Sequence, residues 1–261
     1  MRSLSTGATG MMAQQLNVEV ISNNIANMNT TGFKRQRAEF QDLLYQNQRR
    51  PGATSSDANT IVPSGIQIGV GVRAAGVYRI HEQGNLTSTG NPYDIAINGK
   101  GFFQITLPSG ETAYTRAGSF QVNAQGQVVT ADGYLINPNI TVPQGTLAVS
   151  VDNTGIVEAR ITGQTAPQQL GQIQLANFVN EAGLEAVGDN LFLETPASGQ
   201  PQVGNPNTQG LGTLRQGYLE TSNVNPVQEI TNLITAQRAY DMNSKVITTS
   251  DEMLQTTTRL R

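Results

Sequence analysis

The sequence predicts an α+β fold: N- and C-terminal α-helices that form a coiled-coil-like domain, with a central antiparallel all-β domain between them. Apolar residues recur every seven positions at the start of the chain, at Leu4, Met11, Val18 and Ile25. The same spacing returns near the end, at Leu233, Tyr240, Ile247 and Leu254. A seven-residue apolar repeat is the mark of a helix with one packed seam. From about residue 66 to 220 the pattern changes to short β-branched or aromatic runs broken by turn residues. That alternation is the mark of hairpin-connected strands.

The first helix is expected over about residues 3–30. Its seam is half polar, because Ala8, Gln15, Ser22 and Asn29 fill the intervening positions. The stretch SNNIANMNTTGFK (22–34) is rich in asparagine, a mediocre helix former whose side chain competes for backbone hydrogen bonds. Gly32 suits a left-handed C-cap, Phe33 can close over the last turn, and Lys34 is expected to face the negative helix end. Residues 46–65 (QNQRRPGATSSDANTIVPSG) are polar and turn-rich and read as an extended linker. In the β region the turns are expected at Asn98-Gly99, Pro108-Ser109-Gly110, Asn123-Ala124-Gln125-Gly126, Asp132-Gly133 and Asp152-Asn153-Thr154-Gly155. The runs 102–106 and 127–130 are two of the expected strands. The last helix is expected to start with Asn225 as N-cap, Pro226 in the first turn and Gln228 completing a capping-box variant. The resulting division is 1–40, N-terminal helix; 41–75, linker; 76–220, β domain; 221–261, C-terminal helix.

Composition excludes several function classes. The chain has 261 residues, a net charge of −3 and no cysteine, so disulfides and thiol chemistry are absent. The basic clusters Lys34-Arg35-x-Arg37 and Arg49-Arg50 are short, and nothing draws the whole chain to nucleic acid. No apolar run is long enough to span a membrane, and a cleavable signal pattern is not expected. His81 is the sole histidine, read as a surface or strand-end residue. Gly69-x-Gly71 and Gly99-x-Gly101 are incomplete dinucleotide fingerprints. Asp152-x-Thr154 lacks a calcium-loop carboxylate ladder. Asp94, Glu111 and Asp132 are the remaining members for a carboxylate pair, in a setting of ordinary hairpin aspartates. No catalytic, metal or cofactor-binding residue is expected.

Two readings of the helical ends stay open. They can clamp together within one monomeric β-domain binding module, or pack against copies of themselves. Solvent-facing helix positions usually carry Lys and Glu, whereas here Asn23, Asn24, Asn27, Asn29, Asn232, Gln237, Asn243 and Ser244 are uncharged. Uncharged amides avoid the self-repulsion that identical neighbours would otherwise suffer.

The residues also resemble a known family. SNNIANMNTTGFKR (22–35) and ITAQRAYDMNSKVITTSDEMLQ (234–255) resemble the paired terminal signatures of bacterial flagellar rod and hook axial proteins. The likeness continues through 65–73, 90–105, 114–138, 171–195 and 210–224, and is greatest for the distal-rod members, with the proximal rod as the alternative. It implies a structural subunit, without enzymatic activity or cofactor, that self-assembles into the hollow distal rod of the flagellar basal body. The terminal helices would surround a central export channel and the rod would transmit torque to the hook. The implied partners are further copies of the chain, proximal rod proteins, the hook protein, periplasmic and outer-membrane ring proteins acting as a bushing, and the flagellar type III export apparatus. No nucleic acid or membrane insertion is implied. The implied location is the basal-body rod, spanning the periplasm to the outer membrane, reached without a cleaved signal. By match to the family motifs, assembly residues are Asn23, Asn24, Ala26, Asn27, Thr31, Gly32 and Phe33 at one end. Gln237, Arg238, Ala239, Tyr240, Asn243 and Ser244 match at the other. Leu4, Met11, Val18 and Ile25 are expected to face Leu233, Tyr240, Ile247 and Leu254. Pro226 and Ser5 depart from the family pattern.

Overall fold

The structure is a computed structural model that describes residues 2–49, 64–164, 166–208 and 210–259. The chain divides into two units. One comprises Met1–Ile25, Gln36–Tyr78 and Pro226–Arg261; the other comprises Ala26–Arg35 and Arg79–Asn225.

The first unit holds helix α1 (Arg2–Ala26) and helix α2 (Pro226–Arg259). α2 begins at Pro226, where the missing N–H costs nothing in the first helical turn. α1 stops at Ala26, short of the expected residue 30. The described part of the segment expected to be a linker is extended but partly paired into strand ladders. It contributes strands Tyr45–Arg49 and Ile66–Gly69, paired antiparallel, and part of strand Val72–Arg79, which pairs with Gln36–Asp42. Its polar composition concealed them, because these strands are largely exposed and show no buried alternation. Residues 50–63 of the expected linker lie outside the described residues.

The second unit is built on an antiparallel sheet. Strand Phe102–Thr106 is central, pairing with Thr112–Thr115, Leu135–Asn137 and Leu175–Asn177. The sheet continues to Leu191–Leu193 and Glu185–Gly188 on one side, and to Val128–Val129 and Gln121–Val122 on the other. A meander of Thr146–Val151, Ile156–Ile161 and Gln168–Gln172 forms a separate three-stranded sheet. Because side chains alternate along a strand, the central strand serves two cores. Phe103 and Ile105 enter a cluster with Ile97, Phe120, Ile136, Ile140, Ile173 and Leu175. Phe102 enters another with Tyr114, Phe178, Leu184 and Phe192. There Tyr114 and Phe178 meet edge to face at 4.8 Å, a favoured geometry for aromatic quadrupoles. Four of the five expected turns are present: Gly110, Gly126, Gly133 and Gly155 each donate an N–H to the carbonyl three residues earlier, whereas Asn98-Gly99 joins no hairpin, because strand Ile95–Asn98 pairs with Thr213–Gln216. Gly155 carries φ +84, and a Cβ there would meet the Ile173 carbonyl at 2.6 Å.

Candidate functional site

The predicted assembly residues lie mostly on two antiparallel helices of the first unit. Contacts step down one helix as they step up the other. Ser3 Oγ meets Ser250 Oγ at 3.2 Å. A Cβ on Gly7 would touch Ile247 at 3.0 Å, and one on Gly10 would touch the Asn243 amide at 2.9 Å. Further along, Asn24 Nδ2 donates to Glu229 Oε2 at 3.2 Å. Glycine costs a helix interior about 1 kcal/mol relative to alanine, and here it allows close approach of the partner.

The buried seam therefore mixes small and polar residues with two β-branched ones rather than following the predicted heptad positions. α1 buries Gly7, Ala13, Val20, Ile21 and Asn24, and α2 buries Glu229, Ala236 and Ser250. The predicted heptad residues Leu4, Met11, Val18, Ile25, Leu233, Ile247 and Leu254 are half-buried, and Tyr240 is exposed. Val18, Tyr240 and Gln237 line one groove. Ile247 rests on Gly7, one turn from Met11. Arg238 is exposed, while Ala239, Asn243 and Ser244 are half-buried.

Asn24 answers why this helix carries amides. Besides Glu229, its side chain donates to the Gln36 carbonyl at 2.9 Å and accepts from the Gln36 N–H at 2.8 Å. Asn24 is 1% exposed and Glu229 5%. A buried polar pair of this kind permits one alignment of the helices, since slippage would strand both groups. Sequence pattern did not single out Glu229 or the two glycines; glycine spaced by three within a helix was the available signal.

The opposite side of α2 is uncovered. Val227 is 76% exposed, Met242 64% and Met253 55%, with Ile230, Ile234 and Val246 near half. The threonines between them return their hydroxyls to their own helix: Thr231 to Val227 O, Thr235 to Thr231 O, Thr249 to Lys245 O and Thr256 to Glu252 O. Such back-bonding leaves these hydroxyls satisfied without a partner molecule. The exposed surface is thus mixed: these apolar side chains stand among the exposed charges of Arg238, Asp241, Lys245 and Glu252.

The remaining motif residues fall in the second unit. Asn27 Oδ1 accepts from Thr30 Oγ1 at 3.1 Å, and the Thr31 carbonyl accepts from Asn190 Nδ2 at 3.2 Å. Gly32 has φ +68 and a Cβ there would strike Ala117 N at 2.7 Å. It lies six residues beyond the end of α1, so it is not that helix's immediate cap. Phe33 is half-buried. Lys34 departs from expectation. It is 1% exposed and binds Glu220 Oε1 at 2.6 Å and the Glu82 carbonyl at 2.8 Å, rather than facing a helix end. Arg116 Nε holds the other Glu220 oxygen at 2.8 Å. Burial alone would raise the Glu220 pKa, but Arg116 and Lys34 hold it below the ordinary carboxylate value.

His81 stands beside this group. It meets Phe102 and Phe192 edge-on at 5.6 and 5.8 Å. Burial, reinforced by the Lys34, Arg79 and Arg116 charges, lowers its pKa to about 4, with Glu220 opposing. It lines a cavity of about 220 Å³ with Lys34, Glu82, Phe102, Arg116 and Glu181. It is therefore a neutral, half-buried packing residue at neutral pH, placed just beyond the end of strand Val72–Arg79 as expected but not on the surface. Of the three carboxylates, Asp94 accepts from Thr89 and Asn91, closing its own turn, and Glu111 is exposed beside Ser109. Among the described residues no cluster of three His, Asp or Glu could hold a metal, and no helix is long and apolar enough to cross a membrane.

The chain thus carries a long helix at each end and an antiparallel β unit between them, the outline of the flagellar axial proteins that its motifs resemble. Three family descriptions match the chain: flagella basal body rod protein at residues 4–34, flagellar hook protein FlgE/F/G D1 domain at 96–159, and flagellar basal body rod FlgEFG protein C-terminal at 215–260. The chain is 63% identical to the flagellar basal-body rod protein FlgG of Caulobacter vibrioides, covering 100% of both. It is 57% identical to that of Agrobacterium fabrum, over 97% of each. Identity to the rod protein FlgF of Caulobacter vibrioides is 33%, over 96% of this chain and 94% of the other. The chain belongs to the flagellar basal-body rod family and groups there with the FlgG proteins. It also overlaps the solved Helicobacter pylori hook protein FlgE2 at 14% identity and a TM-score of 0.25, over 72% of this chain and 43% of that one, too loosely to bear on the fold.

Proposed function

We propose that this chain is a structural subunit of the flagellar basal body that builds the distal rod, the shaft between the motor and the hook. The observation that carries this is full-length identity to FlgG at nearly twice the level seen with FlgF. The large apolar side chains exposed along α2, from Val227 to Met253, supply a physical basis for self-assembly, since apolar side chains gathered on a surface mark interaction sites. In this reading further copies of the chain pack through α1 and α2, and the helices surround an export channel. Proximal rod proteins and the hook protein meet the ends of the stack. Ring proteins of the periplasm and outer membrane surround it, and subunits arrive through the flagellar type III export apparatus.

The named motif residues act in this reading as assembly residues: Asn23, Leu4, Met11, Val18 and Ile25 on α1, and Leu233, Gln237, Tyr240, Asn243, Ile247 and Leu254 on α2. Deleting the coding sequence and imaging purified basal bodies by electron microscopy tests the proposal. The expected result is a rod truncated before the hook and cells that do not swim, both restored by the intact chain. Complete rods in the deletion strain would refute it.

A further inference from the structure

The second unit is entered and left by short backbone segments. The chain passes between units after Ile25, Arg35, Tyr78 and Asn225. Within the second unit, three of the segments next to these passages are tied together before the sheet begins. Glu220 is the first tie. Its Oε1 accepts from Lys34 Nζ at 2.6 Å and from the Gly84 N–H at 2.8 Å, and its Oε2 accepts from Arg116 Nε at 2.8 Å. Its carbonyl accepts from the Gly32 N–H at 2.8 Å. Asn223 is the second tie. Its Oδ1 accepts from the Arg35 N–H at 2.7 Å, and its Nδ2 donates to the carbonyls of Ile80 at 2.8 Å and Glu82 at 3.0 Å. The Ile80 N–H closes the set on the Arg35 carbonyl at 2.9 Å.

So residues 32–35, 80–84 and 220–223 are joined side to side by two side chains and their neighbours. A hydrophobic seam would have sufficed to hold segments together. A charged and amide network is directional, and the bonds of Glu220 with Lys34 and Arg116 are strong because water is excluded there, while Asn223 extends the network toward the surface. It also fails as a set: losing one member strands the others.

We propose that Glu220 and Asn223, with Lys34 and Arg116, form a clasp that takes up force where the chain enters and leaves the β unit. The sheet is then shielded while the clasp holds. Force entering at Ala26 and at Asn225 meets the bonds between 32–35 and 220–223 before it reaches the strands from Ile95 onward. This rests on the rod reading, because a torque-transmitting subunit is the kind of chain that needs such a tie.

The test is single-molecule pulling on the full-length chain, which has no native cysteine, with handles on Ala26→Cys and Asn225→Cys so that the helices are bypassed. Asn223→Ala removes three clasp bonds. Thr195→Val, inside the β unit, removes a comparable group: the hydroxyl's bond to the Gly183 carbonyl and those from the Ala197 and Ser198 N–H groups. The expected result is first rupture at constant force about tenfold faster or more for Asn223→Ala, with Thr195→Val within about twofold of the unmodified chain. Equal acceleration by both, or none by Asn223→Ala, would overturn the proposal. Amide hydrogen exchange on the unmodified chain keeps it testable if Asn223→Ala does not fold. Arg35, Ile80 and Gly84 amides should then exchange together, through an opening that leaves Ile105 and Ala113 protected. Exchange of all five at one rate, or of the three clasp amides at unrelated rates, would equally overturn it. Neither measurement needs an assembled rod, so failure here leaves the rod reading standing, while complete rods in the deletion strain would remove that reading and leave the clasp to its own data.

Discussion

The β unit and the helical unit are held together in opposite ways. The β unit hides its large side chains: Phe103, Ile97 and Ile105 are fully buried, and aromatic rings fill the other face of the same strand. The helical unit hides Gly7, Ala13, Asn24, Glu229 and Ala236, and leaves Val227, Met242 and Met253 in solvent. One region has used nearly all its large apolar strand residues on itself; the other buries Val20 and Ile21, aligns its helices with polar groups and leaves several large apolar residues outward. That contrast is what separates a self-sufficient core from a surface that is completed by association.

The largest expected effect lies in the β core. Phe103→Ala should cost about 3–5 kcal/mol, read as a lower urea midpoint of the β unit. A loss under about 1 kcal/mol would mean that the core tolerates voids, and the contrast would weaken.

Next comes pH. His81 has its folded pKa at about 4, below its ordinary 6.5, so between those values the unfolded chain binds more protons. Stability is therefore full above about pH 6.5 and falls as pH drops toward 4, by up to roughly 3 kcal/mol. Glu220, also held below its ordinary value, adds a loss at still lower pH as its folded state is protonated. His81→Phe should flatten the upper part of that dependence in unfolding curves collected from pH 7 to 4.

A smaller effect is expected in the helical unit. Asn24→Ala leaves the Gln36 backbone groups and Glu229 without this partner and should cost about 2 kcal/mol. Hydrogen exchange should accelerate along α1 and α2 while the β sheet stays protected. Uniform acceleration through both units would contradict their separate construction.

The sequence made the helices, most of the hairpin turns and the start of α2 at Pro226 legible, because each is written in local spacing. Strand Phe102–Thr106 was legible as a strand but not as the centre of two cores, since pairing partners such as Leu135–Asn137 lie far along the chain. The helix seam is only partly legible for a related reason. Heptad spacing pointed to Leu, Met and Ile, yet close approach is made by Gly7 and Gly10, which carry no hydrophobic signal. Lys34 was read as a helix-end charge because its partner Glu220 is 186 residues away. Strands Tyr45–Arg49 and Ile66–Gly69 escaped notice because they have no buried face.

The smallest expected change in the monomer is also the most informative. Val246→Asp places a charge on the exposed side of α2, where it should alter monomer stability by no more than about 0.5 kcal/mol. The decisive measurement is incorporation of this variant into rods, by electron microscopy of basal bodies from cells that make only the variant. The account predicts a normally folded chain and no distal rod. Complete rods built from Val246→Asp would show that the uncovered face of α2 is not an assembly surface.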